Sequence, residues 1–231
     1  MTQAIERPRA NGATVFGLIL ALGVPLALTS TGFLRQILSQ YAPPDSLDYA
    51  YLREGLLWGL TVLVLLVLTV GERQNLGTIG FKHIRWSTLL WAVIGLVLAY
   101  LSYPLGILLL KSLGATQPTG MAQKLLALPL WLLALTILRA GVCEEILFRG
   151  YGIERLTALT GSRVIGAVVP GLVFMAGHIE GYGPVYALFL LPITVVLTVL
   201  YLFRRDLWTN IFAHLLIDGV GIATAYFAQH K

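Results

Sequence analysis

Two pairs of ionisable residues with a four-residue spacing occur in the C-terminal half of the sequence. Glu145 and Arg149 form one pair, and His214 and Asp218 form the other. On an α-helix, residues four apart lie on one face and can interact. Glu144 lies about 100° around such a helix from Glu145. We therefore expect Arg149 to neutralise Glu145, and we expect Glu144 to be free to meet a different helix.

A third segment repeats the four-residue offset with Phe174 and His178. A glutamate, two histidines and an aspartate from three helices could activate a water by general-base catalysis. They could equally hold a divalent metal, because His and carboxylates are ordinary zinc ligands. The expected catalytic residues are Glu144, His178, His214 and Asp218, with Glu145 and Arg149 as structural support. The candidate ligands of a divalent metal such as zinc are His178, His214 and Asp218.

The composition places these residues in a membrane protein. Of 231 residues, 57% are hydrophobic and only 12% are charged, and the mean hydropathy is +0.81. A soluble domain usually has about a quarter of its residues charged. The same numbers exclude disorder, and a disulfide scaffold is excluded because Cys143 is the only cysteine. The basic residues are dispersed, which argues against nucleic-acid binding despite a pI of about 9.5.

Seven apolar runs are candidates for membrane helices, which need about 20 apolar residues. The first run exceeds the apolar region of a signal peptide, about 7–15 residues, so we expect it to be retained. The expected fold is an all-α polytopic membrane protein, a bundle of seven or eight transmembrane helices with an intramembrane polar cavity. An eighth helix could lie in residues 36–54 or 151–163. The runs are 10–34, 55–71, 86–110, a fourth from residue 125 that must continue well past 149, 164–179, 184–203 and 207–228.

The segments between these runs indicate organisation and orientation. Residues 35–54 are expected to form a connector, and residues 72–85 a loop or an interfacial helix. With the N-terminus inside, ten Lys and Arg residues lie on the inner side and five on the outer side. This bias favours a cytoplasmic N-terminus. We expect N-terminal transmembrane helices and loops in residues 1–122 and a catalytic core in residues 123–231.

Each polar residue also has a simpler explanation. A Glu–Arg pair such as Glu145 and Arg149 can be purely structural. His178 can cap a helix end, and Cys143 is more typical of a small buried apolar group than of a nucleophile. However, an ionised side chain inside a membrane costs about 2.5–3.5 kcal/mol even on the lenient insertion scale. The cluster as a whole therefore favours function.

Three short motifs resemble those of a known family. Residues 144–149 match the pattern EExxxR, residues 174–178 match FxxxH, and residues 214–218 resemble HxxxN. In this order on apolar helices, they resemble the CAAX protease and bacteriocin-processing family of intramembrane proteases, which includes the Ras-converting CAAX endopeptidases. Gly150, Tyr151 and the upstream segment 75–81 are also similar to that family.

The resemblance implies hydrolysis of a peptide bond by a glutamate-dependent intramembrane protease, expected to be a metalloprotease. It implies that Glu144 activates the hydrolytic water and that Arg149 holds Glu145. His178 and His214 would contribute to water activation, metal ligation or the oxyanion site.

Asp218 departs from the family pattern, which usually has Asn at this position. An Asn amide can donate a hydrogen bond to a developing oxyanion, whereas an ionised Asp can only accept one. Asp218 is therefore protonated, oriented toward His214, or a metal ligand. The departure mildly favours a metal.

The resemblance also implies partners: membrane lipid and a peptide or lipidated protein substrate. The substrate would be a prenylated CAAX C-terminus in a eukaryote or some archaea, or a membrane-associated peptide in a bacterium. Two other classes remain open. A non-hydrolytic protein of the bacteriocin-immunity or scaffold type would use the same residues for packing and ion pairs. A small transporter also uses intramembrane Glu, His and Asp, but no internal inverted repeat is recognisable.

Overall fold

The computed structural model describes residues 11–30, 32–44, 46–115, 125–179 and 183–229, and within these ranges it contains helices and no strand. The all-α prediction is therefore confirmed for the described residues. The α-helices are α1 (Gly12–Leu18), α2 (Val24–Ser30), α3 (Phe33–Leu38), α4 (Leu47–Leu66), α5 (Trp86–Ser112), α6 (Leu130–Arg139), α7 (Glu154–Thr160), α8 (Arg163–Ala176), α9 (Pro184–Phe189), α10 (Leu191–Arg204) and α11 (Leu207–Gln229). Ile19–Gly23, Val67–Gly71 and Ala140–Ile153 are π-helical, and Leu76–Ile79 is a 3-10 helix.

Three stretches of the described chain are long and apolar enough to cross a membrane: Leu47–Gly71, Trp86–Ser112 and Leu207–Phe227. Gly12–Leu28, Arg163–Ala176 and Leu191–Arg204 are shorter apolar helices. These helices support an integral membrane protein. The count of seven or eight spans and the cytoplasmic N-terminus stay predictions, and the basic residues Arg7 and Arg9 lie outside the described residues.

The first predicted run, residues 10–34, is shorter in the structure. The helix ends at Ser30, and Gly32 follows with a φ of 73°. This left-handed conformation is typical of glycine after a helix. A new short helix, α3, then begins at Phe33, so the end of the predicted run belongs to a separate element.

The second run begins earlier than its apolar stretch suggests. Helix α4 starts at Leu47 rather than at Gly55, and the Ser46 hydroxyl accepts a hydrogen bond from the Tyr49 N–H at 3.2 Å. This is an ordinary N-cap. Charged residues made the first two turns of α4 look like a connector, yet one of them, Glu54, is buried.

The predicted run 184–203 consists of two helices. A turn at Leu190 separates α9 from α10, and Pro192 lies in the first turn of α10. A proline has no N–H to bond back to the preceding turn but is well tolerated at a helix start. By contrast, α5 and α11 agree with their predicted runs within two residues at each end.

The fourth run forms a long helical segment. Helix α6 begins at Leu130 after Pro129, passes directly into the π-helical Ala140–Ile153, and continues as α7 to Thr160. The chain then leaves the helix through Gly161, whose φ is 71°. This confirms that the fourth helix continues past Arg149. The segment that carries EExxxR is thus held between two α-helical ends.

Close helix contacts surround this segment. A Cβ at Gly141 would lie 2.6 Å from the side chain of Leu215, so α11 can approach the π-helical segment only because residue 141 has no side chain. The larger apolar core joins Leu18 and Val64 to Ile146 and Phe174. Residues from both predicted domains therefore share one core, and the boundary at residue 122 stays a prediction.

Candidate active site

The EExxxR motif lies on the 14-residue π-helical segment Ala140–Ile153. π-Helices are rare, and single π turns occur frequently at functional sites. Their i→i+5 hydrogen bonds bring residues five apart close to one another. Accordingly, Nη1 of Arg139 lies 3.0 Å from Oε1 of Glu144. Glu144 therefore has a partner on its own helical segment, which α-helical spacing does not anticipate.

Glu145 is the central acceptor of a buried network. Its Oε1 lies 2.8 Å from Nη1 of Arg149 and 2.8 Å from Nδ1 of His214. Its Oε2 accepts a hydrogen bond from Nδ2 of Asn210 at 3.1 Å. The side chain of Glu145 has no exposed surface. Both oxygens are thus occupied, and the predicted support of Glu145 by Arg149 is present in the structure.

His214 lies between two carboxylates. Its Nδ1 faces Glu145, and its Nε2 lies 3.6 Å from Oδ2 of Asp218, an ion-pair distance but not a hydrogen bond. Asp218 is one-third exposed, whereas His214 is buried. The predicted orientation of Asp218 toward His214 is present, but Glu145 makes the shorter contact with the imidazole.

His178 is positioned by its own helix end. Its Nδ1–H donates to the carbonyl of Phe174 at 2.7 Å. The Phe174 ring lies 4.7 Å from the His178 ring and 6.3 Å from the His214 ring. The Arg149 guanidinium lies 4.3 Å from the centre of the same Phe174 ring. Phe174 therefore contacts residues of all three motifs.

Glu144 completes the set of predicted catalytic residues. It interacts electrostatically with both His178 and His214, and also with Asp218. Its side chain is 16% exposed, whereas that of Glu145 is fully buried. No hydrogen bond from the described residues reaches its Oε2. Glu144 is thus the glutamate with an oxygen available to a small molecule.

Three polar residues of this region were not predicted as site residues. Glu54 of α4 accepts a hydrogen bond from Nε of Arg139 at 3.1 Å, so Arg139 bridges Glu54 and Glu144. Asn210 precedes His214 by four residues on α11 and could have been found by the same spacing rule. Glu54 and Arg139 are far apart in sequence, and their only signal was their charge at the edge of or within an apolar run.

A second buried network lies at the other end of the π-helical segment. Glu72 accepts hydrogen bonds from the Tyr151 hydroxyl at 2.5 Å and from Nε of Arg155 at 2.6 Å. Arg155 also donates to Oγ1 of Thr78 at 2.9 Å. These contacts attach segment 75–81 to the long fourth helix. Tyr151 and segment 75–81, the two further features that resemble the family, are thus joined through Glu72 and Arg155.

The candidate site contains side chains of the types that bind divalent metals. Both histidines direct Nδ1 to an oxygen, the arrangement that commonly orients Nε2 toward a metal. However, no three His, Cys, Asp or Glu side chains in the described part of the chain are grouped so that they could hold a metal ion. The donors are of the right type but are not gathered around one point.

Comparison with known proteins gives one finding. Residues 126–220 match the family model described as Rce1-like, type II CAAX prenyl endopeptidase Rce1-like. The matched segment contains all three motifs, from Glu144 to Asp218, and it confirms the family resemblance. No curated protein and no solved structure matches the chain.

Proposed function

We propose that this chain, whose residues 126–220 belong to the type II CAAX prenyl endopeptidase family, is an intramembrane endopeptidase with Glu144 as the general base. One observation carries the proposal. Of the two adjacent glutamates, Glu145 has both oxygens occupied by buried donors, whereas Glu144 is partly exposed and interacts with both histidines. A water that is to lose a proton needs a carboxylate oxygen that other donors do not occupy.

The proposed reaction begins with a water on Glu144. Its carboxylate takes a proton from the water, and the water oxygen attacks the scissile carbonyl carbon. The carbonyl oxygen becomes an oxyanion. The tetrahedral intermediate then breaks its C–N bond as Glu144 returns the proton to the leaving amine. The products are a carboxylic acid and an amine, so one water is consumed.

His214 would stabilise the oxyanion, and His178, whose Nδ1–H is held by the Phe174 carbonyl, would help to position the water. In its imidazolium form, His214 donates Nδ1–H to Glu145 and has Nε2–H available for the developing charge. Donors that are fixed before the reaction stabilise an oxyanion without reorganisation. Asn210 and Arg149 fix Glu145, and Glu145 in turn fixes the His214 ring. Asp218 cannot donate when ionised and would act through His214.

The proposed substrate is a membrane-associated peptide or protein that carries a lipid near its C-terminus. A prenylated CAAX sequence is the substrate that the family resemblance implies. An apolar surface cavity of about 350 Å³ lies between α5 and α11. Its apolar lining would accommodate the lipid chain of such a substrate. Tyr100, which lines this cavity, donates to the carbonyl of Ile217 at 3.3 Å and interacts electrostatically with Asp218. An apolar chain in the cavity would lie close to the polar site.

The test is cleavage of prenylated and unprenylated peptide libraries by the purified chain in detergent. Glu144→Gln and His214→Ala should each abolish most cleavage, since a positioned general base contributes about 10²–10⁴-fold. Asp48→Asn is the matched control, because Asp48 is an exposed carboxylate in the first turn of α4. Cleavage that is unchanged in Glu144→Gln would overturn the proposed base.

One observation favours a non-hydrolytic scaffold instead. Arg139 pairs with Glu144, so the charge of Glu144 is balanced as in a structural ion pair. A scaffold would show no cleavage of any library member, while Glu144→Gln would lower thermal stability as much as Glu145→Gln does. The same purified protein distinguishes the two functions.

Metal use on His178, His214 and Asp218 stays a prediction. Its test is elemental analysis of the purified protein together with the effect of a chelator on cleavage. A metal-dependent protease should lose cleavage with the chelator and regain it when the metal is restored.

A further inference from the structure

A polar cavity lies apart from the candidate active site. It has a volume of about 370 Å³, within the usual range of ligand pockets, about 300–1,000 Å³. None of its lining residues belongs to the catalytic motifs. Its lining residues are Lys82, His83, Arg85, Ser87, Thr88, Arg204 and Asp206.

The cavity lies where two candidate membrane spans begin. Helix α5 starts at Trp86, and α11 starts at Leu207, one residue after the cavity wall. Trp86 is 80% exposed, and tryptophan is enriched where a membrane meets water. Arg204 lies over the ring of Trp91, 5.4 Å from its centre. The cavity is therefore at the depth of lipid headgroups.

One side of the cavity suits a phosphate. Lys82, Arg85 and Arg204 line it, and the first turn of α5 contributes the partial positive charge of a helix N-terminus. Burial lowers the pKa of Lys82. The nearby Asp206 raises this pKa, whereas the neighbouring Arg205 and Arg204 lower it. A bound anion would offset this repulsion among the cations.

The other side of the cavity contains a buried acceptor. Asp206 is 4% exposed, and its Oδ2 accepts hydrogen bonds from the hydroxyls of Thr88 and Thr209, both at 2.9 Å. Its Oδ1 is also buried, and no donor among the described residues reaches it. A buried acceptor without a donor costs about 1–3 kcal/mol. The geometry thus calls for a ligand that brings an N–H or O–H donor.

We propose that this cavity binds the headgroup of phosphatidylethanolamine, with the phosphate on Lys82, Arg85 and the start of α5, and the ammonium on Oδ1 of Asp206. The primary ammonium has three N–H donors, and the headgroup carries both the anion and the donor that the cavity residues call for. A phosphatidylcholine headgroup has the same phosphate but no N–H. It would bind on the phosphate side and leave Oδ1 of Asp206 without a donor.

The test is the thermal unfolding of the purified full chain in detergent, titrated with short-chain lipids. A ligand that binds only the folded state raises the unfolding temperature according to its occupancy. Dihexanoyl-phosphatidylethanolamine should bind about tenfold more tightly than dihexanoyl-phosphatidylcholine, as expected for one hydrogen bond to a charged group. Equal binding of the two lipids would overturn the ammonium site. Equal stabilisation by inorganic phosphate, or tighter binding of dihexanoyl-phosphatidylglycerol, would overturn the choice of lipid.

Two variants separate the sides of the cavity. Lys82→Gln changes an exposed loop residue and should weaken the binding of both lipids by a similar factor. Asp206→Asn should remove the preference for phosphatidylethanolamine while phosphatidylcholine binding persists. The control is Arg163→Gln, which removes an exposed positive charge at the start of α8, outside the cavity. If Lys82→Gln binds both lipids as the control does, the proposal is wrong, even if Asp206→Asn does not fold.

Discussion

His214 is held by Glu145, the second glutamate of the EExxxR motif, with Nδ1 2.8 Å from Oε1. This contact joins the first and third motifs directly. The two glutamates therefore have different surroundings: Glu145 contacts an imidazole, whereas Glu144 remains partly exposed. The adjacent carboxylates differ because the π-helical segment turns one toward α11 and the other toward Arg139.

The first prediction concerns the buried acceptor Glu145. Glu145→Gln removes the charge that faces Arg149 and His214, and breaking a buried pair costs about 3–5 kcal/mol. We expect a large fall in the free energy of unfolding, measured by denaturant titration in detergent. The control is Asp48→Asn, because Asp48 is an exposed carboxylate in the first turn of α4. Surface substitutions usually change the free energy of unfolding by about 0.5 kcal/mol or less, so equal losses in the two variants would contradict the burial argument.

The second prediction concerns Arg139, which bridges two carboxylates. Arg139→Gln leaves Glu54 and Glu144 without their shared cation, and a buried uncompensated charge is strongly destabilising. Adding Glu54→Gln removes one of the stranded charges. The double variant should therefore be more stable than the sum of the two single losses predicts, with a coupling of about 0.5–3 kcal/mol. Additive losses in the unfolding free energies would show that the three groups are not one network.

Much of this architecture follows from patterns that the sequence displays openly. Apolar runs predicted α5 and α11 within two residues, and the spacing of Glu145 and Arg149 predicted their ion pair. These features depend on local periodicity, which can be read directly from the sequence. The continuation of the fourth helix was also predictable, because the motifs could not otherwise meet at one depth.

Other features depend on information that periodicity lacks. The π-helical segment has no distinct hydropathy pattern, so the pairing of Arg139 with Glu144 five residues later was missed. The start of α4 was hidden by charged residues such as Glu54, whose burial is explained by its hydrogen bonds from Thr136 and Arg139, 82 and 85 positions away. The break between α9 and α10, at Leu190 and before Pro192, lies inside one continuous apolar run, so hydropathy alone did not separate the two helices.

The third prediction concerns the contact between Gly141 and Leu215. A Cβ at residue 141 would lie 2.6 Å from the Leu215 side chain, closer than atoms can approach, so Gly141→Ala must displace α11 or that side chain. We expect a loss of about 1–3 kcal/mol in unfolding free energy, as for other overpacked cores. Leu215→Ala in the same chain should recover part of it. Gly12→Ala is the control, since nothing lies within 4 Å of a Cβ there; a similar loss in Gly12→Ala would contradict the steric explanation.

The last prediction concerns Asp218, where the family usually has Asn. Asp218 lies 3.6 Å from Nε2 of His214 and is one-third exposed, so substitutions there should leave the fold intact. If Asp218 acts through His214 by a hydrogen bond that tightens when substrate binds, its necessary feature is an acceptor oxygen, which Asn retains and Ala lacks. We expect Asp218→Asn to keep kcat within about tenfold of the parent, and Asp218→Ala to lose a further factor of about ten with KM unchanged, the size of a modest hydrogen bond. Steady-state cleavage of one library substrate measures both. Equal kcat in the two variants would mean that the acceptor oxygen has no part in positioning His214, whereas a change confined to KM would place Asp218 in substrate binding instead.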